Sequence, residues 1–150
     1  MIAIRPATQE DSTYIIGFQQ EMALETENVI LDPVVVAEGL RRLFEDSAKG
    51  IYYVAEENNE VIGCMMTTFE WSEWKCGNVL WIQSVYIASS YRGRGVFKKM
   101  YEYIRSMVTP GSGNQGIRLY VDKTNLAAQK VYEKLGMNGE HYQVYEWMLP

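Results

Sequence analysis

Between Val85 and Lys98 the chain reads Val-Tyr-Ile-Ala-Ser-Ser-Tyr-Arg-Gly-Arg-Gly-Val-Phe-Lys, an apolar strand that breaks into a glycine-rich loop and opens directly into a helix. That order makes an anion cradle. The loop aims unpaired backbone N–H groups at one point, and the positive end of the helix dipole adds to them. Gly93 and Gly95 lack a Cβ, so they accept unusual backbone angles and let a diphosphate come close to the main chain. Arg92, Arg94, Lys98 and Lys99 surround the loop with positive charge in a chain whose formal net charge is −5. A Walker loop needs Gly-x-x-x-x-Gly-Lys-Ser/Thr, and a dinucleotide fingerprint needs a third glycine and an acidic ribose partner. Neither spacing is present.

The elements that must hold this loop follow from periodicity and punctuation. Ile2 to Arg5 predicts a short strand, and Thr8-Gln9-Glu10-Asp11 carries a cap with an acid three places on, which starts a helix running to about Glu25. Val36, Leu40, Leu43 and Phe44 recur at helical spacing and predict a second helix over Val34 to Ser47. Ile51 to Glu56 and Val61 to Trp71 are β-rich runs joined by Glu57-Asn58-Asn59-Glu60, a polar hairpin turn. Asn78 to Ile87 predicts a central strand, Val96 to Met107 a helix broken by Pro110-Gly111-Ser112-Gly113, and Ile117 to Val121 a fifth strand. A last helix over Asn125 to Leu135 ends at Gly136, and Tyr142 to Leu149 predicts a closing strand. The expected architecture is one α/β domain over residues 1–150: a single mixed sheet with helices on both faces and no internal repeat.

With 150 residues and 47% hydrophobic composition, the chain can bury a core without staples. Its acidic balance argues against a general nucleic-acid partner and favours a cationic or basic one. Cys64 and Cys76 have neither C-x-x-C spacing nor His/Cys companions, which points to a reduced cytoplasmic setting and to no metal site. No stretch approaches the roughly 20 apolar residues of a membrane span, so no membrane partner is expected.

Tyr-Arg-Gly-Arg-Gly-Val after a Val-Tyr-Ile strand resembles the acyl-CoA signature of the GNAT N-acetyltransferases. The second half extends the resemblance. Leu119-Tyr120-Val121-Asp122-Lys123-Thr124-Asn125, Ala128 and Val131-Tyr132-Glu133-Lys134-Leu135-Gly136-Met137 resemble that family's other CoA-contacting block, and the opening Ile-Arg-Pro-Ala-Thr is typical of it. The resemblance implies the GNAT fold, a mostly antiparallel sheet whose parallel strands four and five splay apart, with acetyl-CoA as cofactor. It implies that backbone N–H groups over Gly93, Arg94, Gly95, Val96, Phe97 and Lys98 hold the diphosphate beside Arg92. The main chain of Val85, Tyr86 and Ile87 would pair with the pantetheine arm, and Asn125, Ala128 and Tyr132 would touch the cofactor. Phe97 stands where the family usually has a small residue, so its ring must turn away from the diphosphate.

Acyl transfer to an amine needs a stabilised oxyanion, a protonated leaving thiolate and an uncharged nitrogen. A strand-four N–H near Val85 is the expected oxyanion donor, because backbone donors need no reorganisation. By resemblance Tyr132 is the general acid; a phenol near pKa 10 can protonate a departing thiolate near 8.5. The stretch Trp81-Ile82-Gln83-Ser84-Val85 resembles the polyamine-type acetyltransferases but carries Gln83 where they have an acid. Gln83 can orient an amine and cannot take its proton. Glu70 is the acidic replacement, or a solvated strand-end charge. Glu21 and Glu25, one helical turn apart, either attract a cationic acceptor or form an exposed acidic face. Phe69, Trp71, Trp74 and Trp81 either line an acceptor pocket or belong to the core or a dimer surface. His141 reads as a surface or packing residue. With no activating partner for either cysteine, direct attack in a ternary complex is expected over a ping-pong route. The acceptor reads as a small primary amine, polyamine or amino-acid-like metabolite, with a protein amine as the alternative. A non-catalytic acyl-CoA sensor is the rival reading, and homodimer formation is a further expectation from the family.

Overall fold

A computed structural model of the chain describes residues 1–150. It divides into two compact units, residues 1–118 and 119–150. The first holds β1 (Ala3–Pro6), α1 (Ser12–Glu27), α2 (Pro33–Glu45), β2 (Ile51–Glu57), β3 (Glu60–Ser72), β4 (Gly77–Ile87), α3 (Val96–Arg105) and β5 (Asn114–Arg118). The five strands form one sheet in chain order, β1-β2-β3-β4-β5. All pairings are antiparallel except β4 with β5, which run parallel with α3 as the crossover.

Local chemistry explains these boundaries. The β2–β3 turn places Asn58 and Asn59 at φ 52° and 63°, the two left-handed residues of a tight hairpin. Asp32 caps α2 by accepting from the Val34 N–H at 2.9 Å, with Pro33 in the first helical position. Before α1 stands a short 3-10 turn, Gln9–Asp11. There Asp11 accepts from the Thr8 N–H at 2.8 Å and takes both terminal nitrogens of Arg5 at 2.8 and 2.9 Å. Arg5 also donates to Glu56 at 2.9 Å, so one guanidinium joins β1, β2 and the entry to α1.

Alternation along β2 and β3 sorts the core onto two faces. Tyr52, Val54 and Cys64 pack with Ile15, Phe18 and Leu40 beneath α1 and α2. On the opposite face Tyr53 packs edge-on to Tyr103, with ring centroids 5.6 Å apart. From α3, Val96, Met100 and Ile104, spaced by four, are fully buried.

Two expected strands differ. β5 runs over Asn114–Arg118 rather than Ile117 to Val121. Parallel pairing with Asn78–Trp81 sets its limits, and Asn114 is fixed there by donating from Nδ2 to the Met107 carbonyl at 3.1 Å. No strand is assigned over Tyr142–Leu149. An extended segment becomes a strand only by pairing, and within residues 119–150 it has no partner strand. That second unit contains α4 (Leu126–Lys134), followed by Gly136 at φ 87°. No helix of either unit is long and apolar enough to cross a membrane.

The Arg5 pair holds the buried Asp11 carboxyl below its usual range. Its contribution to stability is therefore complete above pH about 4 and is lost as pH falls through the lowered value. Asp11→Asn should cost about 1–3 kcal/mol at pH 7 and should remove much of the acid-limb difference between pH 7 and pH 3. Urea midpoints of both proteins at both pH values check this; parallel acid limbs would contradict it.

Candidate active site

β4 carries a bulge at its centre. Cys64 faces Tyr86 and Met66 faces Gln83, so two steps on β3 meet three on β4. The extra residue falls at Ser84–Val85, and Ser84 takes φ 53°, a left-handed angle that L residues rarely adopt. Three buried side chains hold it. Gln19 of α1 donates from Nε2 to the Ser84 carbonyl at 3.2 Å and to Cys64 Sγ at 3.5 Å. The Cys64 thiol donates to the same carbonyl at 3.7 Å, and the Tyr52 phenol is a hydrogen-bond partner of the Ser84 side chain. A bulge leaves one residue outside the ladder, which frees a backbone N–H at Ser84–Val85 to point elsewhere. β4 also parts from β5 here: their registered pairing ends at Trp81 with Arg118, two residues before Gln83.

Beyond β4 the 3-10 turn Ser89–Tyr91 leads into the glycine loop. Gly93 and Gly95 have φ 76° and 77°, and a Cβ built on either meets nothing within 4 Å. Gly95 is the N-cap of α3 and no side chain caps that helix. The start of α3 therefore offers its unpaired N–H groups to open space. Phe97 stacks on Tyr101 one turn along, with centroids 6.3 Å apart.

Both loop arginines are engaged by carboxylates. Arg92 donates to the Ile87 carbonyl and to Glu25, each at 2.9 Å, and lies over the Tyr86 ring at 5.1 Å. Arg94 reaches Glu57 at 3.1 Å and lies over Tyr91 at 4.9 Å. Glu25 also accepts from the Tyr86 hydroxyl at 2.9 Å. Tyr86, together with Arg92, holds the Glu25 carboxyl below its usual range, while burial and the neighbouring Glu25 and Glu21 push the Tyr86 phenol far up. Glu25 is thus an anchor between α1 and the loop, and Glu21 stands beside it at the same phenol.

Gln83 lies opposite Met66 and donates from Nε2 to Thr68 Oγ1 at 2.6 Å. Glu70 is not beside it. Its register partner is Val79, four residues from Gln83, or about 13 Å along the strand. Its carboxylate is paired with Arg118. Phe69 and Trp71 alternate with Thr68 and Glu70, so both point to the face opposite Gln83. Trp74 is almost wholly exposed in the β3–β4 turn. In the second unit, Asn125 caps α4 by accepting from the Ala128 N–H at 3.1 Å, and Tyr132 is half-buried on α4, where burial raises its phenol above the ordinary value.

The sequence pattern described as the Acetyltransferase (GNAT) family matches residues 15–137. The chain belongs to that family, whose reaction class is acyl transfer. Among solved structures it is similar to a possible acetyltransferase from Clostridium difficile 630, with 39% identity, TM-score 0.91, and coverage of 100% of this chain and 99% of that one. Glucosamine-6-phosphate N-acetyltransferase from Arabidopsis thaliana shares the fold at 18% identity and TM-score 0.75, with 98% of each chain covered. So does AAC(6')-Iy in complex with the bisubstrate analog CoA-S-monomethyl-acetylneamine, at 16% identity and TM-score 0.78, covering 100% of this chain and 99% of that one. No curated protein matches the chain by sequence.

Sequence reasoning missed the bulge and its holders Gln19 and Tyr52. Residue types carry no signal for it, because a bulge is a count against a partner strand. Replacing Gln19 with Leu leaves the part-buried Ser84 carbonyl short of its better donor, and should cost about 1–3 kcal/mol. An unchanged urea midpoint would show that the amide does not hold the bulge.

Proposed function

We propose that the chain is an N-acetyltransferase that uses acetyl-CoA and acts on a primary amine by direct attack in a ternary complex. The observation that carries the reading is the bulge at Ser84–Val85 running, within ten residues, into a helix start with no side-chain cap. The cradle fits a diphosphate: a Cβ at Gly93 or Gly95 would occupy the open space above the loop amides. With Arg92 and Arg94 already paired, the grip falls on main-chain N–H groups from Gly93 to Lys98, with the exposed Lys98 and Lys99 nearby.

Bound there, acetyl-CoA supplies a thioester carbonyl as acyl donor and a thiolate as leaving group. The Val85 N–H donates to the carbonyl oxygen as charge develops on it, and its position is fixed by the strand before reaction begins. As the resemblance to the family implies, Tyr132 would give its phenolic proton to the sulfur and the resulting phenolate would take a proton from the attacking nitrogen as the amide forms; its raised pKa keeps the phenol protonated through neutral pH. Gln83 orients the amine with the amide oxygen that its bond to Thr68 leaves over. Glu70, held at the far end of the strand pair, has no part in the reading.

Direct attack is favoured by the state of Cys64. Burial pushes its thiol up to about 12, so it is no nucleophile at neutral pH. The acceptor classes in view are a small amine, a polyamine or an amino-acid-like metabolite.

Gly95→Asp puts a carboxylate into the cradle and should abolish CoA binding in calorimetry while the circular dichroism spectrum stays that of the folded protein. Retained affinity would contradict the cradle. Tyr132→Phe should lower turnover by about 10-fold or more with CoA affinity unchanged; equal rates in a thiol-release assay would remove Tyr132 from the chemistry.

A further inference from the structure

A cleft of about 220 Å³ opens between α1, α2 and the neighbouring strands β2 and β3. Its walls are Ile15, Val36, Leu40, Leu43 and Met66, with Gln19 and Tyr52 as the polar residues and no charged side chain among the lining. Two features mark it as more than a packing gap. The first is its inner end: Gln19 and Tyr52 are the side chains that hold Ser84 in the bulge, so the cleft reaches the residue next to the Val85 N–H. Met66 lies directly opposite Gln83, which places Gln83 at the same end and on the same face.

The second feature is Gly39. It sits in the interior of α2, where glycine weakens a helix, and it forms part of the cleft wall. No close packing partner requires the missing side chain, and no atom lies within 4 Å of where its Cβ would stand in the cleft wall.

We propose that this cleft receives the acceptor, and that it selects primary amines with a compact apolar body over polyamines and over zwitterionic amino acids. The proposal rests on the acetyltransferase reading and narrows its acceptor class. The volume is below the 300–1,000 Å³ of sites for drug-sized ligands, which suits a branched aliphatic or single-ring amine. A second ammonium or a carboxylate would lose its hydration among Ile15, Val36, Leu40 and Leu43 with no ion partner in the lining. The nearby acids do not change this: Glu25 is taken by Arg92 and Tyr86, Glu21 is engaged at the same Tyr86 phenol, Glu38 is taken by Arg41 and Arg42, and none of the three lines the cleft. The polar end is suited to an uncharged nitrogen. Gln19 uses its amide N–H groups on Ser84 and Cys64, and Gln83 donates to Thr68, which leaves a neutral carbonyl oxygen on each as the group to receive the amine. Apolar surroundings also favour the unprotonated amine, the form that attacks, which lessens the need for a carboxylate base.

The test combines binding and turnover in the full chain. Phenethylamine and isoamylamine are compared with spermidine and leucine, each with acetyl-CoA, in the wild type, Gly39→Ala and Gly39→Leu. Amide chemical shifts are followed on adding phenethylamine without acetyl-CoA. The expected result is kcat/KM at least 10-fold higher for the apolar amines, and shifts at Gly39, Leu43 and Met66. Gly39→Leu should fill the cleft and lower kcat/KM for phenethylamine at least 10-fold with CoA affinity unchanged. Gly39→Ala should keep or raise the melting temperature, since its Cβ meets nothing within 4 Å, and an unchanged circular dichroism spectrum checks that Gly39→Leu stays folded. Shifts in the cleft without transfer to any amine would support the pocket and sink the transferase reading. Transfer that prefers spermidine or leucine, or that Gly39→Leu leaves untouched, would overturn the pocket and leave the transferase reading standing. No shifts and no transfer would overturn both.

Discussion

The carbonyl of Ser84 and the buried groups that hold it are the constraint on which the site depends. A left-handed serine inside a strand costs on the order of 1–3 kcal/mol and persists only where its surroundings over-determine it. Gln19, Cys64 and Tyr52 supply that surrounding from α1, β3 and β2, three elements remote in sequence. They fix the point where β4 turns a backbone N–H out of the ladder. The bulge is therefore a property of the whole layer beneath α1 and not of the residues in β4 alone.

The glycine loop follows a similar logic with the opposite electrostatics. The sequence sets four basic residues around Gly93 and Gly95, and a natural reading is that all of them face the ligand. In the folded chain Arg92 and Arg94 are turned to Glu25 and Glu57 and to the faces of Tyr86 and Tyr91. Their work is to hold the loop against α1 and against the β2–β3 hairpin. An anion at the start of α3 would meet oriented N–H groups that no side chain caps, rather than these two guanidiniums. In a chain with 19 acidic and 14 basic residues, most cations near a loop have an acid within reach.

What could be read from the chain and what could not divides by range. The glycine loop into α3, the Asn58–Asn59 hairpin and the helix that begins after Asn125 each depend on contiguous residues, and each forms where expected. The limits of β5 depend on β4, which lies more than thirty residues earlier, and the strand shifts accordingly. Glu25 looked like half of an acidic pair on a helix face because its partners, Tyr86 and Arg92, are 61 and 67 residues away. Phe69 and Trp71 are a different case. Alternation separates them from Met66 and Thr68 within the strand, and the β3–β4 register, which sets Met66 against Gln83, is what puts Gln83 on the other face.

The order of strands carries a consequence for how the molecule assembles. β2, β3 and β4 form a meander of neighbouring hairpins, with contacts that close over short loops, whereas β1 must come back across both helices and β5 across α3. Chain entropy favours the meander as the nucleus, with the outer strands docking late. Because the bulge takes a donor from Gln19 of α1, the left-handed kink at Ser84 gains that hold only once the helix has packed onto the meander, so the bend in β4 is completed by a contact 65 residues away in the chain.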